Sequence, residues 1–298
     1  MCKKVVVIGA GAIGKSIGYL LHQKGYEILG FLSRRLESAQ AGVDLIGEGI
    51  ATTKYRKFIL EADLILITTP DQVIQRVADK LFTKGLVKEG ASLIHCSGAH
   101  SSQILLPQSE DEGRYGRLSL HPLQSVADVE KGINSLPNSF FTMEGNELGC
   151  KTGEEILTEL GVDYEVISAQ AKPLYHAAAC VASNYLVTIV NLALKMNQKA
   201  GVAPEKALKG LLPLMQGTLD NINDLGPTKA LTGPISRGDT ETIEGHLESL
   251  EALLPGELDL YRDLGNNTIE VAQKKGSVTK KELEELKEIL TEEGLNNE

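Results

Sequence analysis

Val5-Val6-Val7-Ile8-Gly9-Ala10-Gly11-Ala12-Ile13-Gly14 is the stretch whose reading decides the fold. Four β-branched apolar residues in a row make a short strand of the kind buried on both faces. The run passes straight into glycines spaced G-x-G-x-x-G, after which Ile17, Leu20 and Leu21 fall on one helical face, with Gly25 at the helix end. A glycine triplet alone says little. One that closes a strand and opens a helix is the fingerprint of a dinucleotide site. Gly9 permits the tight turn, Gly11 lets the backbone approach a pyrophosphate, and Gly14 lets the helix pack closely on the strand. The amides of the first helical turn, Ala12 and Ile13 among them, then face the phosphate charge.

Working outward, short apolar runs predict further strands over 27–32, 62–69, 92–96, 117–120 and 139–143, and a helix over 73–81. Strands alternating with helices imply an α/β fold, a doubly wound parallel sheet of the Rossmann type. The texture changes near Ala169. A stretch over 174–196 reads as one long helix, apolar nearly all round and therefore expected to be buried on several sides. Helices follow over 204–216, 243–254 and 256–273, and Thr279-Lys280-Lys281-Glu282 has the form of a capping box. The expected organisation is a Rossmann domain over 1–168 and an all-α domain over 169–298.

Composition narrows the function. A chain of 298 residues suits two domains of roughly 150. Thirty basic against forty acidic residues give a net charge of −10, which argues against nucleic acid or an anionic membrane as partner. Cys2, Cys96, Cys150 and Cys180 lie too far apart for a metal ladder and read as free thiols of a reducing, cytoplasmic compartment. No apolar run approaches the ~20 residues that span a bilayer, and no metal motif is found.

The end of the second strand bears on the cofactor. It reads Phe31-Leu32-Ser33-Arg34-Arg35, with no acid until Glu37. A carboxylate there would serve the ribose of NAD. A hydroxyl and two guanidiniums suit the 2′-phosphate of NADP, so NADP(H) is expected over NAD. Alternatively, the arginines simply open a solvated helix. Thr68, Thr69 and Pro70 end the next strand and would flank the nicotinamide, His95 and Ser97 at the neighbouring strand end are expected to join them as cofactor contacts, and His121 ends the strand beyond.

In the second half, Lys172, His176, Cys180 and Asn184 recur every fourth residue and so share a helical face. Pro173 favours a first-turn position and would place Lys172 at the cap. The turn Thr232-Gly233-Pro234-Ile235-Ser236-Arg237-Gly238-Asp239 carries Arg237, whose fork could grip a carboxylate, or it is a capped turn with a surface arginine.

Together these motifs resemble a two-domain family within the ketopantoate reductase, β-hydroxyacid dehydrogenase and pyrroline-carboxylate reductase superfamily. Its first domain is similar to that of coenzyme F420-dependent NADP oxidoreductases, and its second is a helical domain of unknown function. The resemblance rests on the glycine turn, Ser33-Arg34, Thr69-Pro70-Asp71, His95-Cys96-Ser97-Gly98-Ala99, His121-Pro122-Leu123, Tyr175-His176-Ala177-Ala178-Ala179, Ser183-Asn184-Tyr185 and 232–239. It implies NADP(H)-dependent reduction of a small carboxylate bearing C=O or C=N, such as a ketopantoate-like 2-oxo acid. A pyrroline-carboxylate-type imine reductase, a reductase using coenzyme F420 and a non-catalytic NADP(H) sensor are the alternatives. Lys172 matches the superfamily's helical lysine, while His176 and Cys180 stand where asparagines would follow. The expected roles are proton donation by Lys172 or His176, orientation by Asn184 and Ser236, and carboxylate binding by Arg237. The long apolar helices imply a homodimer.

Overall fold

The computed structural model describes residues 2–107 and 113–291. It forms two compact units, Met1–Asn184 and Tyr185–Glu298.

The first unit is built on strands β1 (Lys4–Ile8), β2 (Glu27–Leu32), β3 (Ile50–Thr52), β4 (Leu64–Ile67), β5 (Ser92–His95), β6 (Gly116–Pro122), β7 (Phe141–Gly145) and β8 (Tyr164–Val166). They form one sheet in the order β3-β2-β1-β4-β5-β6-β7-β8. Every pair is parallel except β6 with β7. The strand order reverses between β1 and β4, and ligands of open α/β sheets bind at such a switch point, outside the carboxyl ends. Helices α1 (Ala12–Gln23), α2 (Leu36–Ile46), α3 (Ile74–Thr83), α4 (Val129–Ser135), α5 (Glu147–Leu160) and α6 (Lys172–Ala182) complete the unit.

Side chains of β1 alternate between two cores. Val5 and Val7 pack with Ile17 and Leu21 of α1, and Val6 and Ile8 with Ile74, Ala78 and Leu81 of α3. Both faces are thus covered, which is why the strand reads as a continuous apolar run. β3 and β8, three residues each, are too short to leave a periodic signal and were not expected.

The second unit comprises α7 (Asn184–Lys199), α8 (Pro204–Ala230), α9 (Thr240–Leu253), α10 (Leu258–Lys275) and α11 (Lys280–Leu290). Ile235, Ile243, Leu247, Ile269, Ala272, Leu286 and Leu290 form its core. The capping box is present: Glu282 N donates to Thr279 Oγ1, and Thr279 N donates to Glu282 Oε2. α8 runs well past its expected end, with a break at Gly226 (φ 75°) before Pro227.

The single helix expected over 174–196 is in fact two. Ser183 (φ −113°, ψ −64°) closes α6, and α7 begins at the next residue. The compact units accordingly divide after Asn184, with α6 in the first. Nor is this stretch buried: Leu174 is 78% and Val187 70% exposed in the single chain. By length and composition alone Ala169–Lys199 would suffice to cross a membrane, contrary to the expectation that no stretch is long enough.

Candidate active site

The glycine turn is shaped as its chemistry requires. Gly9 (φ 109°) donates its N–H to Leu32 O at 2.8 Å, and a Cβ on it would lie 2.6 Å from the Thr68 carbonyl carbon. A Cβ on Gly14 would overlap Gly9 O and Thr68 Oγ1. Thr68 Oγ1 donates to Gly9 O at 2.6 Å and Thr68 N to Ile8 O at 2.9 Å, tying the ends of β1 and β4 together.

Gly11 differs from its neighbours. It is exposed, and a Cβ there would meet nothing within 4 Å. It is the N-cap of α1, no side chain caps the helix, and the first turn holds no acid. Orphan amides at such an end favour an anion. Next to Gly9, Thr69 Oγ1 is buried with no hydrogen-bond partner among the described residues. The cramped cradle at Gly9 and Gly14, the open face at Gly11 and the orphaned Thr69 hydroxyl fit a dinucleotide.

At the end of β2, Ser33 N donates to Thr52 O at 3.1 Å, while Arg34 and Arg35 are exposed. β3 brings Lys54 to the adjoining strand end, where its N–H donates to Thr52 Oγ1 at 3.0 Å. The sequence alone does not mark this third cation, because the three residues of β3 leave no periodic signal.

A second cluster lies at the carboxyl ends of β4, β5 and β6. Ser97 is its hub. Its N–H donates to His95 Nδ1 at 3.1 Å, its Oγ donates to Asp71 Oδ2 at 2.7 Å and accepts from His100 N at 3.1 Å, and its carbonyl accepts from Ser119 Oγ at 3.1 Å. Lys172 is only 1% exposed. Its Nζ donates to Ser119 Oγ at 2.6 Å and to Ser97 O at 3.2 Å. Burial pushes its pKa down, against the opposing pull of Glu144 and Asp71.

His95 is fully buried, with Nδ1 accepting from Ser97 and Nε2 3.3 Å from Ser101 O, so the neutral Nε2–H tautomer fits both contacts. Burial lowers its pKa to about 4. Placed among the cofactor contacts by sequence, His95 instead shapes the Ser97 turn from beneath.

The outer layer is made by His121, Tyr175, His176 and Cys180. Tyr175 Oη lies 3.0 Å from His121 Nδ1, and the His121 and His176 rings are 6.4 Å apart. A Cβ on Gly98 would come within 2.8 Å of both His121 Nε2 and His176 Cδ2, so only glycine fits between the rings. His176 Nδ1 is 3.9 Å from Cys180 Sγ, as their spacing on α6 predicts. Asn184 falls beyond the break at Ser183 and is exposed, so the four-residue stripe stops at Cys180.

Two other residues singled out by sequence belong to the second unit. Ser236 is buried, its Oγ 3.4 Å from Leu231 O and from Lys275 Nζ, and it helps hold the 232–239 turn. The Arg237 side chain is 65% exposed, 3.7 Å from Asp239, whose carboxylate caps α9 by accepting from Thr242 N.

Residues 4–97 match the family model described as NADP oxidoreductase coenzyme F420-dependent, and residues 139–268 match the domain of unknown function DUF2520. The chain is an NADP oxidoreductase-like domain joined to a DUF2520 domain. No curated protein sequence matches significantly. Among solved structures, protein TM1727 from Thermotoga maritima is 28% identical, with a TM-score of 0.73 over 91% of this chain and 99% of that one. BF3122 from Bacteroides fragilis, provisionally described as an NADP oxidoreductase, is 22% identical, with a TM-score of 0.66 over 92% and 98%. A pyrroline-5-carboxylate reductase from Coxiella burnetii is 15% identical, with a TM-score of 0.59 over 97% and 99%. The last two show a shared fold. The DUF2520 match begins inside the first compact unit, so in this protein that domain includes α6 with Lys172, Tyr175 and His176.

Proposed function

We propose that the chain is an NADP(H)-dependent reductase of a small carboxylate bearing a C=O or C=N group. One observation carries the reading: a phosphate cradle at β1–β4 and a histidine cluster at β5–β6 share one edge of one sheet. Bound there, a reduced nicotinamide supplies a hydride. The chain supplies the rest. The Gly11 turn binds the phosphates, and Ser33, Arg34 and Arg35 select the 2′-phosphate through charge-assisted bonds. Thr69 offers its buried hydroxyl to the nicotinamide side. Lys172 is sealed beneath the Ser97–Gly98 turn and acts as a positioning residue, leaving proton transfer to the half-buried histidines above. In the second unit, by itself, the exposed guanidinium of Arg237 has the fork that binds a carboxylate.

The test is to follow oxidation of NADPH with a panel of 2-oxo acids and cyclic imines. Turnover of at least one is expected. Tight NADPH binding with no turnover of any would overturn the reductase reading in favour of a sensor.

We also propose that a second copy of the chain covers the apolar faces of α7 and α8, where Val187, Leu212, Leu214 and Leu225 are each more than half exposed. A net charge of −10 disfavours an anionic membrane in that role. Light scattering should report a dimer that Val187→Glu with Leu212→Glu converts to a monomer. A monomeric wild type, or flotation with neutral vesicles, would contradict this.

A further inference from the structure

We propose that Tyr175 and His121 form a proton relay that carries the proton of the reduction to the substrate through His121 Nε2, an inference that rests on the reductase reading above. The two residues are 54 apart in sequence and come from different elements, His121 from β6 and Tyr175 from the first turns of α6. Their rings meet edge to face, with centroids 5.6 Å apart at 88°, and the phenol oxygen lies 3.0 Å from Nδ1. Nε2 makes no hydrogen bond to any described residue and borders the place where Gly98 lacks a side chain. One nitrogen is therefore committed to the phenol and the other is available to a ligand above Gly98.

The surroundings decide the form of the imidazole. The titratable and charged groups around it are Lys172, Tyr175 and His176 of α6 and Asp71 of the turn after β4. Burial, Lys172 and His176 oppose a positive charge on the ring and outweigh Asp71, and together they push its pKa down to about 4. A ring that cannot hold a second proton can still pass one along. The substrate carbon accepts the hydride and its electron pair, and the C=O π pair moves to oxygen. That oxygen takes the Nε2 proton while Tyr175 O–H gives its proton to Nδ1, leaving a neutral imidazole and a phenolate. The phenolate then recovers the Nδ1 proton as Nε2 takes one from water. One hydride and one solvent proton are added in all, and no imidazolium forms. An imine nitrogen substitutes for the oxygen without altering the balance.

Tyr175→Phe keeps the ring and removes the hydroxyl. It should lower kcat by about 100-fold, with the NADPH Kd and the unfolding midpoint unchanged. His121→Gln should do the same, and the double variant should be no slower than His121→Gln alone, since the two act as a unit. Nitrogen NMR of histidine-labelled protein gives a readout independent of turnover. Wild-type His121 should carry its proton on Nε2 and stay neutral until the pH falls toward about 4, and Tyr175→Phe should mix the tautomers. A wild-type proton on Nδ1, or undiminished kcat in Tyr175→Phe, would overturn the relay alone. Absence of turnover by wild type would overturn the reductase reading and the relay with it.

Discussion

Gly11→Asp is expected to abolish dinucleotide binding while leaving the fold intact. A Cβ at Gly11 meets nothing within 4 Å, and its φ of −81° is open to any residue, so the substitution introduces neither clash nor strain. Its carboxylate would project where phosphate charge must sit, and juxtaposed like charges cost several kcal/mol. A rise in NADPH Kd of about 100-fold or more is expected, with stability changed by no more than about 0.5 kcal/mol. Gly14→Ala separates the two effects. Its methyl would overlap the Gly9 carbonyl oxygen, a backbone atom that cannot rotate away, as well as Thr68 Oγ1. Loss of binding should there come with about 1–3 kcal/mol of destabilisation, typical of overpacking. Calorimetric titration and thermal melts of both variants check the pair. Unimpaired binding by Gly11→Asp would mean that the phosphates do not cross the start of α1.

Lys172→Met should reduce turnover by about 100-fold, the scale of a small misplacement at a reacting centre, without loss of stability. The buried ammonium holds the Ser97–Gly98 turn through Ser97 O and Ser119 Oγ. Ser97 O keeps a donor when it is gone, because Ser119 Oγ also donates there. A buried charge is costly unless it is paired, and the hydrogen bonds of Lys172 Nζ go to two neutral oxygens, so an apolar chain of similar volume there should melt no lower than wild type. The pH profile identifies the role. Lys172 helps hold the His121 pKa down, so its removal should shift the acidic limb of kcat/KM upward in pH. A proton donor would instead take its own limb with it, and that result would make Lys172 the acid.

How much could be read from the sequence follows from how local each feature is. The Gly9–Gly14 turn was legible because its spacing is set by the strand and helix it joins, although the crowding at Gly9 and Gly14 also comes from Thr68 at the end of β4. The basic end of β2 was legible from adjacent residues, except that Lys54 enters only through β3. The part of the site contributed by α6 was half legible. Lys172, His176 and Cys180 announce a common face through their spacing, but burial of Lys172 beneath Ser97 depends on β5 and β6. The Tyr175–His121 contact joins residues far apart in the chain and leaves no periodic trace. Apolarity misled over 174–196. An apolar helix has to be covered by something, and the sequence alone does not say whether its own chain provides the cover. The break at Ser183, which detaches Asn184 from the stripe, has no proline or glycine to mark it.

The central claim, a dinucleotide site selective for NADP(H), is tested most directly by calorimetric titration of wild type and Arg34→Ala/Arg35→Ala with NADPH and NADH. Charge-assisted bonds to a 2′-phosphate are each worth about 1.5–3 kcal/mol, so wild type should bind NADPH at least about 10-fold more tightly than NADH. The variant should lose that preference with its NADH affinity unchanged. Equal affinity of wild type for the two, or binding of neither, would contradict the claim.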